Sequence, residues 1–237
     1  MALVEYRLED HVAIITWNSG ENRFNPEFLQ ANLDVLDEIE KNTQATVVVV
    51  RSAHEKIWSN GLDLEWLMAR VAAQDSAVTK TFFFQLNDVF KRFLMFPAIT
   101  VAAITGHAFA GGAILSCAFD YRFMRTDRGF FCFPEVDINI PFLPGMMALL
   151  RKSLPGHALT DMALTGKRIT AAQARETGIV QQTYDMSNIM DETIAWAKTM
   201  NKRRETVRAI KVELYKHIPV IMDQEDTPII EGGRLNV

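Results

Sequence analysis

Apolar residues along the chain gather into short runs separated by polar, glycine- or proline-bearing stretches. Residues 12–17 (VAIITW), 45–52 (ATVVVVRS), 99–106 (ITVAAITG), 121–126 (YRFMRT) and 178–184 (GIVQQTY) are rich in β-branched and aromatic side chains and read as strands. The second and third are almost continuously apolar, as strands covered on both faces are. Helical periodicity alternates with them. After Asn25 and Pro26, residues Phe28, Leu29, Leu33, Leu36 and Ile39 recur on one helical face, with Asn25 placed to cap and Pro26 to open the first turn. A further helix is predicted over LEWLMARVAA, and an aromatic-rich one over 82–96, stopped by Pro97. Alternating strands and helices predict an α/β core with right-handed crossovers.

Beyond about Met186 the strand pattern ends. SNIMDETIAWAKTM and KRRETVRAIKVELYKHI read as two helices, the second carrying an apolar stripe of Val207, Ile210, Leu214 and Ile218 opposite Lys and Arg. The tail after Pro219 mixes Pro, Gly and acids and is expected to fray. The division expected is a core over 1–186 and a helical segment over 187–237 that acts as a lid or an oligomerisation arm.

Composition narrows the class. The chain has 237 residues, enough for one large domain, and is 49% hydrophobic and 23% charged, the balance of a globular protein. A net charge of −4 argues against a nucleic-acid partner. The two cysteines, Cys117 and Cys132, lie in apolar surroundings and read as free thiols in a reducing compartment. The first residues lack a basic stretch followed by an apolar one, and the last are not a Ser-Lys-Leu address, so a cytoplasmic location is expected. Residues 93–119 contain no Asp, Glu, Lys or Arg, which raises the possibility of a membrane span. Pro97, Thr100, Thr105, His107 and a glycine pair divide the stretch, so strand, turn and buried helix are expected, without membrane insertion.

That glycine pair, Gly111–Gly112 in TGHAFAGGAILSCAFD, is the first candidate for chemistry. A helix starting near Gly112 leaves its first N–H groups without partners. A residue without a Cβ lets a ligand oxygen approach them closely. Such a turn can bind a phosphate or an oxyanion, or it can merely satisfy packing. It is neither a G-x-G-x-x-G fingerprint nor a P-loop. A second glycine turn, IWSNGLDL (57–64), also follows a strand and leads into a helix. A third element, GFFCFPEVDINIPFLPG (129–145), holds Glu135 in very apolar surroundings.

The stretches VVVVRSAHEKIWSNGLDL, AITVAAITGHAFAGGAILSCAFDYRFMRTDRGFFCFPEVDINI and LTGKRITAAQARETGIV together resemble the crotonase (enoyl-CoA hydratase/isomerase) superfamily. The resemblance covers about residues 5–200. It implies a crotonase-like spiral of ββα units with a C-terminal helical segment, assembled as a homotrimer or dimer of trimers. It also implies an acyl-CoA substrate, with no cofactor beyond the CoA that the substrate carries. By resemblance, the backbone N–H groups of Leu62 and Gly111 form an oxyanion hole, and Glu135 is catalytic. Ser59, Asn60, Gly61, Gly112 and Ile114 border the substrate, and Arg23 and Phe24 in GENRFNPE lie beside the CoA.

Hydratases of this superfamily carry two glutamates, and the first of those positions is Ile114 here. Hydration must activate water and also deliver a proton to the α-carbon, a task for two carboxyl groups. Moving a double bond from the 3- to the 2-position needs one. The chain is therefore most similar to the single-glutamate delta-3, delta-2-enoyl-CoA isomerases. Other thioester chemistry on the same fold, or a silent acyl-CoA-binding oligomer, are the alternatives. Asp137 is expected to be a solvated or hydrogen-bonded loop acid and His107 a turn histidine bonded to backbone. Asp120 is expected to pair with a base or cap a turn, and the basic helix 201–217 to be solvated or to touch CoA phosphates. No Cys, His and Asp cluster has metal-ligand spacing, so no metal is expected.

Overall fold

The computed structural model describes residues 2–233. Its main sheet has six strands in the order β1 (Val4–Glu9), β2 (Val12–Trp17), β4 (Val47–Ser52), β7 (Ile99–Ile104), β9 (Tyr121–Arg125) and β11 (Gln182–Tyr184). Only β1 with β2 is antiparallel; the other four pairings are parallel. The continuous apolar runs follow from burial on both faces. Ala13, Ile15, Val48, Val50, Ala102 and Ile104 face the main core, where α1 (Pro26–Asn42) and α3 (Ser76–Leu94) pack. Their neighbours Val12, Ile14, Val47, Val49, Val101 and Ala103 face a second apolar layer with Ile194 and Ala197 of α8 (Ile189–Lys198). Asn25 caps α1, its side chain accepting the Phe28 N–H at 3.0 Å, with Pro26 in the first turn.

Two smaller parallel sheets lie beside the main one. One joins β10 (Phe131–Cys132), β8 (His107–Phe109) and β5 (Ile57–Ser59); the other joins β3 (Arg23–Phe24) to β6 (Gly61–Leu62). The first of these strands after each turn feeds a helix: β6 leads into α2 (Leu64–Ala72), and β8 into α4 (Gly111–Ser116). Strands of two or three residues carry no readable periodicity, which is why the sequence showed these places only as glycine turns. Residues 93–119 form strand, turn and buried helix, and no helix among the described residues is long and apolar enough to cross a membrane.

After α5 (Pro144–Ser153), α6 (Gly156–Thr165) and α7 (Ala171–Glu176), the chain ends in helices α8, α9 (Arg204–Tyr215), α10 (His217–Ile221) and α11 (Thr227–Glu231), with a wide π turn over Met222–Asp226. One expectation is corrected here. Among the described residues the tail does not fray after Pro219 but continues as helix to Glu231. Proline stands in the first turn of α10, where no helical N–H is required, and Ile218, Met222 and Ile230 enter the main core. The apolar stripe over 207–218 is buried only at its end, where Ile218 enters the core, and turns outward along α9. Ile210 and Leu214 are each 54% exposed, whereas Lys211 is 3% exposed. Polar heads dock this helix: Lys211 reaches Ala98 O and Asp120, and Arg204 reaches Ala45 O and Glu40 O. Residues 234–237 of the expected helical segment lie outside the described residues.

Candidate active site

Two turns meet back to back. In the first, Gly61 lies at φ +74°, and a Cβ there would stand 2.9 Å from Gly111 Cα and closer still to Gly111 N. In the second, a Cβ on Gly112 would stand 2.6 Å from Ser59 O. Glycine is thus demanded at both places by the approach of one backbone to the other. Between them Ala110 takes φ +49° and ψ −130°, a conformation that an L side chain adopts only under constraint. Its N–H donates to Cys132 O at 3.0 Å, which holds the strained residue against β10.

The Leu62 N–H is directed by the ladder. Asp63 N donates to Phe24 O at 3.0 Å, and alternate residues of a strand point to opposite edges, so the Leu62 N–H leaves from the edge away from β3. Leu62 and Gly111 both line one cavity of about 50 Å³, together with Asn60, Ile114 and Glu135. Leu64, Ala110, Ile138, Ile140 and Met146 complete its wall, leaving Glu135 as the only titratable side chain of the ten.

Glu135 stands on a single 3₁₀ turn, Pro134–Val136, directly after β10. It is 6% exposed, and its Oε2 has no hydrogen-bond partner. Burial among hydrocarbon pushes its carboxyl up to about 7, against which only its own backbone N–H acts. A carboxyl with that proton affinity can both take and return a proton near neutral pH.

The remaining expected site residues form the support of this cavity and do not line it. Ser59 is fully buried; its hydroxyl donates to Asn22 O at 2.8 Å and accepts from Gly61 N at 3.1 Å. Phe24 is also fully buried, stacked on Phe28 and lying 3.4 Å from where a Gly111 Cβ would be. Arg23 is exposed and paired to Glu21 at 2.6 Å, and Glu21 also accepts from Asn60 Nδ2 at 3.0 Å. Through β3 pairing with β6, Arg23 and Phe24 are nonetheless backbone neighbours of Gly61 and Leu62.

With this geometry in view, comparison with known proteins is direct. Residues 7–225 match the model of the family described as enoyl-CoA hydratase/isomerase. The chain belongs to that family. It is 28% identical over 212 residues to enoyl-CoA delta isomerase 3 of Arabidopsis thaliana, covering 86% of this chain and 87% of that one. It is 34% identical over 172 residues to the same plant's peroxisomal enoyl-CoA delta isomerase 2, covering 70% of each. A solved structure titled a probable enoyl-CoA hydratase from Mycobacterium tuberculosis superposes with a TM-score of 0.89 at 19% identity, covering 98% of this chain and 97% of the other. The expected crotonase-like fold with a helical C-terminal segment is thus the fold observed.

Two residues that hold the backbone around the cavity were missed in the sequence. Asn22 is fully buried at φ +50°, and its amide donates to Ser52 Oγ and Trp58 O, pinning the first glycine turn to β4. Its only signal was a place inside the turn-like GENRF. Asp226 is fully buried and accepts from Gly145 N at 2.8 Å and Asn87 Nδ2 at 3.0 Å, which fixes the start of α5 and hence Met146 in the cavity wall. It was hidden in the segment expected to fray. His107 Nδ1 accepts the Phe130 N–H, Asp137 is an exposed loop acid, and Asp120 pairs with Lys211 at 2.7 Å. Cys117 and Cys132 are buried free thiols. Among the described residues no group of three or more His, Cys, Asp and Glu is placed to hold a metal.

Proposed function

We propose that this protein moves the double bond of 3-enoyl-CoA thioesters to the 2-position. The observation that carries the reading is the solitary Glu135 in an apolar cavity shared with the Leu62 and Gly111 backbones, where Ile114 occupies the place of a second acid. The Leu62 and Gly111 N–H groups hold the thioester oxygen as it becomes an oxyanion. Glu135 takes a proton from C2, giving a dienolate, and returns it at C4. Substrate and product differ only in the position of the double bond, so no water, oxidant or further group is consumed. Apolar walls exclude the water that would compete at C3. CoA enters as part of the substrate, and no separate cofactor is invoked. Ser59, Gly61, Gly112, Phe24 and Arg23 support the oxyanion turns, and Asn60 borders the substrate.

The deciding experiment supplies purified protein with 3-enoyl-CoA and 2-enoyl-CoA side by side. Isomerisation of the first with little hydration of the second is expected; efficient hydration with no isomerisation overturns the proposal. The pH dependence gives a second check. Glu135 must be ionised to accept a proton, and its carboxyl titrates at about 7. The kcat/KM value should therefore climb about tenfold per pH unit on the acid side and level off above neutrality. A profile flat from pH 5 to 8 removes Glu135 as the base.

We further propose a homotrimer, or a pair of trimers, in the cytoplasm. The outward stripe of α9 supports the assembly: Val207, Ile210 and Leu214 border an open hollow of about 600 Å³ with Ile99 and Tyr121, an apolar surface suited to a second copy. Of the two roles expected for the helical segment, lid or oligomerisation arm, this outward face of α9 favours the arm. Sedimentation at micromolar concentration should show the oligomer for wild type and monomer for the Ile210→Glu, Leu214→Glu double variant. Monomer for both overturns the assembly. Buried thiols at Cys117 and Cys132 suit a reducing compartment.

A further inference from the structure

The end of α4 opposite Gly111 rests on cations drawn into the interior. Arg122 is 3% exposed, and its guanidinium donates to Ser116 O and Phe119 O at 3.2 Å and to Ile179 O at 2.8 Å. Lys152 Nζ donates to Cys117 O at 3.1 Å and Phe119 O at 2.8 Å, and lies 4.7 Å from the centre of the Tyr215 ring. Among the described residues neither cation has a carboxylate partner within 4.0 Å; Asp120 is taken by Lys211. Burying charge on carbonyls alone is costly, and an apolar side chain of similar size would pack as well. Nearly all the carbonyls engaged belong to the last turn of α4 or the residues just after it.

The other end of α4 is the Gly111 N–H. Six helical residues span about 9 Å, and a hydrogen-bond length of about 3 Å at each end puts the Lys152 ammonium roughly 15 Å from the oxyanion position. Between them Ala113, Ile114, Leu115 and Cys117 are buried, which leaves no water to screen the field. At an effective dielectric near 20, one charge at that separation shifts the equilibrium toward the oxyanion by about sixfold.

We propose that Arg122 and Lys152 are positioning residues for the oxyanion: they hold α4 by its C-terminal carbonyls and direct positive charge through it toward the thioester oxygen. This rests on the oxyanion role given above to Leu62 and Gly111. The groups that face Lys152 are Cys117, Asp120, Arg122, Lys211 and Tyr215. Burial, reinforced by Arg122, lowers its ammonium to about 8, so its charge is present at neutral pH and lost as pH rises above that value.

The test uses acetoacetyl-CoA, a β-keto thioester whose enolate absorbs in the near ultraviolet where the keto form does not. Wild type at pH 7 should bind part of it as enolate. Lys152→Met should bind the ligand with a similar Kd, while the enolate-to-keto ratio falls about sixfold. Lys152→Arg should match wild type at pH 7 and exceed it several-fold at pH 9, where the lysine of wild type is neutral. A purely structural lysine produces no such pH-dependent gap. Should Lys152→Met not fold, the comparison of Lys152→Arg with wild type at pH 9 carries the test alone. Equal ratios in all three proteins at both pH values overturn the role of Lys152. Ligand bound to wild type wholly as ketone overturns the oxyanion reading, and this inference with it.

Discussion

Replacing Glu135 by Gln should lower turnover of a 3-enoyl-CoA by at least about a hundredfold, the low end for a general base, and should stabilise the fold at pH 8. The two effects share one cause. On the proposed mechanism, glutamine keeps the shape of the side chain but cannot accept a proton from C2, so the chemical step loses its base while the cavity is kept. Affinity for acyl-CoA should change little, because the Leu62 and Gly111 N–H groups and the apolar walls are untouched.

The stability change follows from linkage. An unfolded glutamate releases its proton near 4.5, whereas the native carboxyl holds it to about 7. Between those values the native state binds more protons than the unfolded one, so wild-type stability falls as pH rises through this window. The loss is complete above about 7 and amounts to roughly 3 kcal/mol at 1.36 kcal/mol per unit. Glutamine stays neutral and does not suffer it. Denaturant unfolding of both proteins at pH 4 and pH 8 should therefore coincide at the first and favour Glu135→Gln at the second. A glutamate that merely reached solvent would give neither effect, and undiminished turnover would remove Glu135 from the mechanism.

The parts of this protein that were readable in the sequence are those fixed by local patterning. β2, β4 and β7 announced themselves because burial on both faces leaves no polar position to interrupt the run. Asn25 and Pro26 marked the start of α1 because a cap and a proline act within one turn. Glu135 stood out because a carboxylate in an apolar stretch has few structural uses. What escaped depends on distant partners. The stripe of α9 was legible, but its direction was not. The aliphatic stems of Lys211 and Arg204 let their heads reach carbonyls that only the folded chain brings near. Asp226 looks like a solvated tail acid until Gly145 and Asn87 are placed beside it. Gly111–Gly112 was read for ligand approach, yet Gly112 is required by Ser59, so packing and chemistry divide the pair between them.

That interlock makes Gly61→Ala the most damaging small change in the site. Its Cβ would enter the space of the Gly111 and Gly112 backbone, with Gly111 Cα at 2.9 Å and Gly112 N at 3.0 Å. Backbone cannot swing aside as a long side chain can, so the two turns must separate. On the proposed mechanism one of the paired N–H groups then leaves the oxyanion position, and a loss of one donor costs about 10²–10³ in turnover. The left-handed conformation at φ +74° adds a strain of about 1–2 kcal/mol for any residue with a Cβ. Gly178→Ala is the matched control. Gly178 lies at φ +76° with nothing within 4 Å of its Cβ position, so that variant carries the strain without the collision. Both variants should unfold at lower denaturant than wild type, and only Gly61→Ala should lose at least about a hundredfold in kcat. Full turnover in folded Gly61→Ala would mean that the closeness of the two turns is irrelevant to catalysis. Equal losses in both variants would trace the effect to general destabilisation instead of the oxyanion turn.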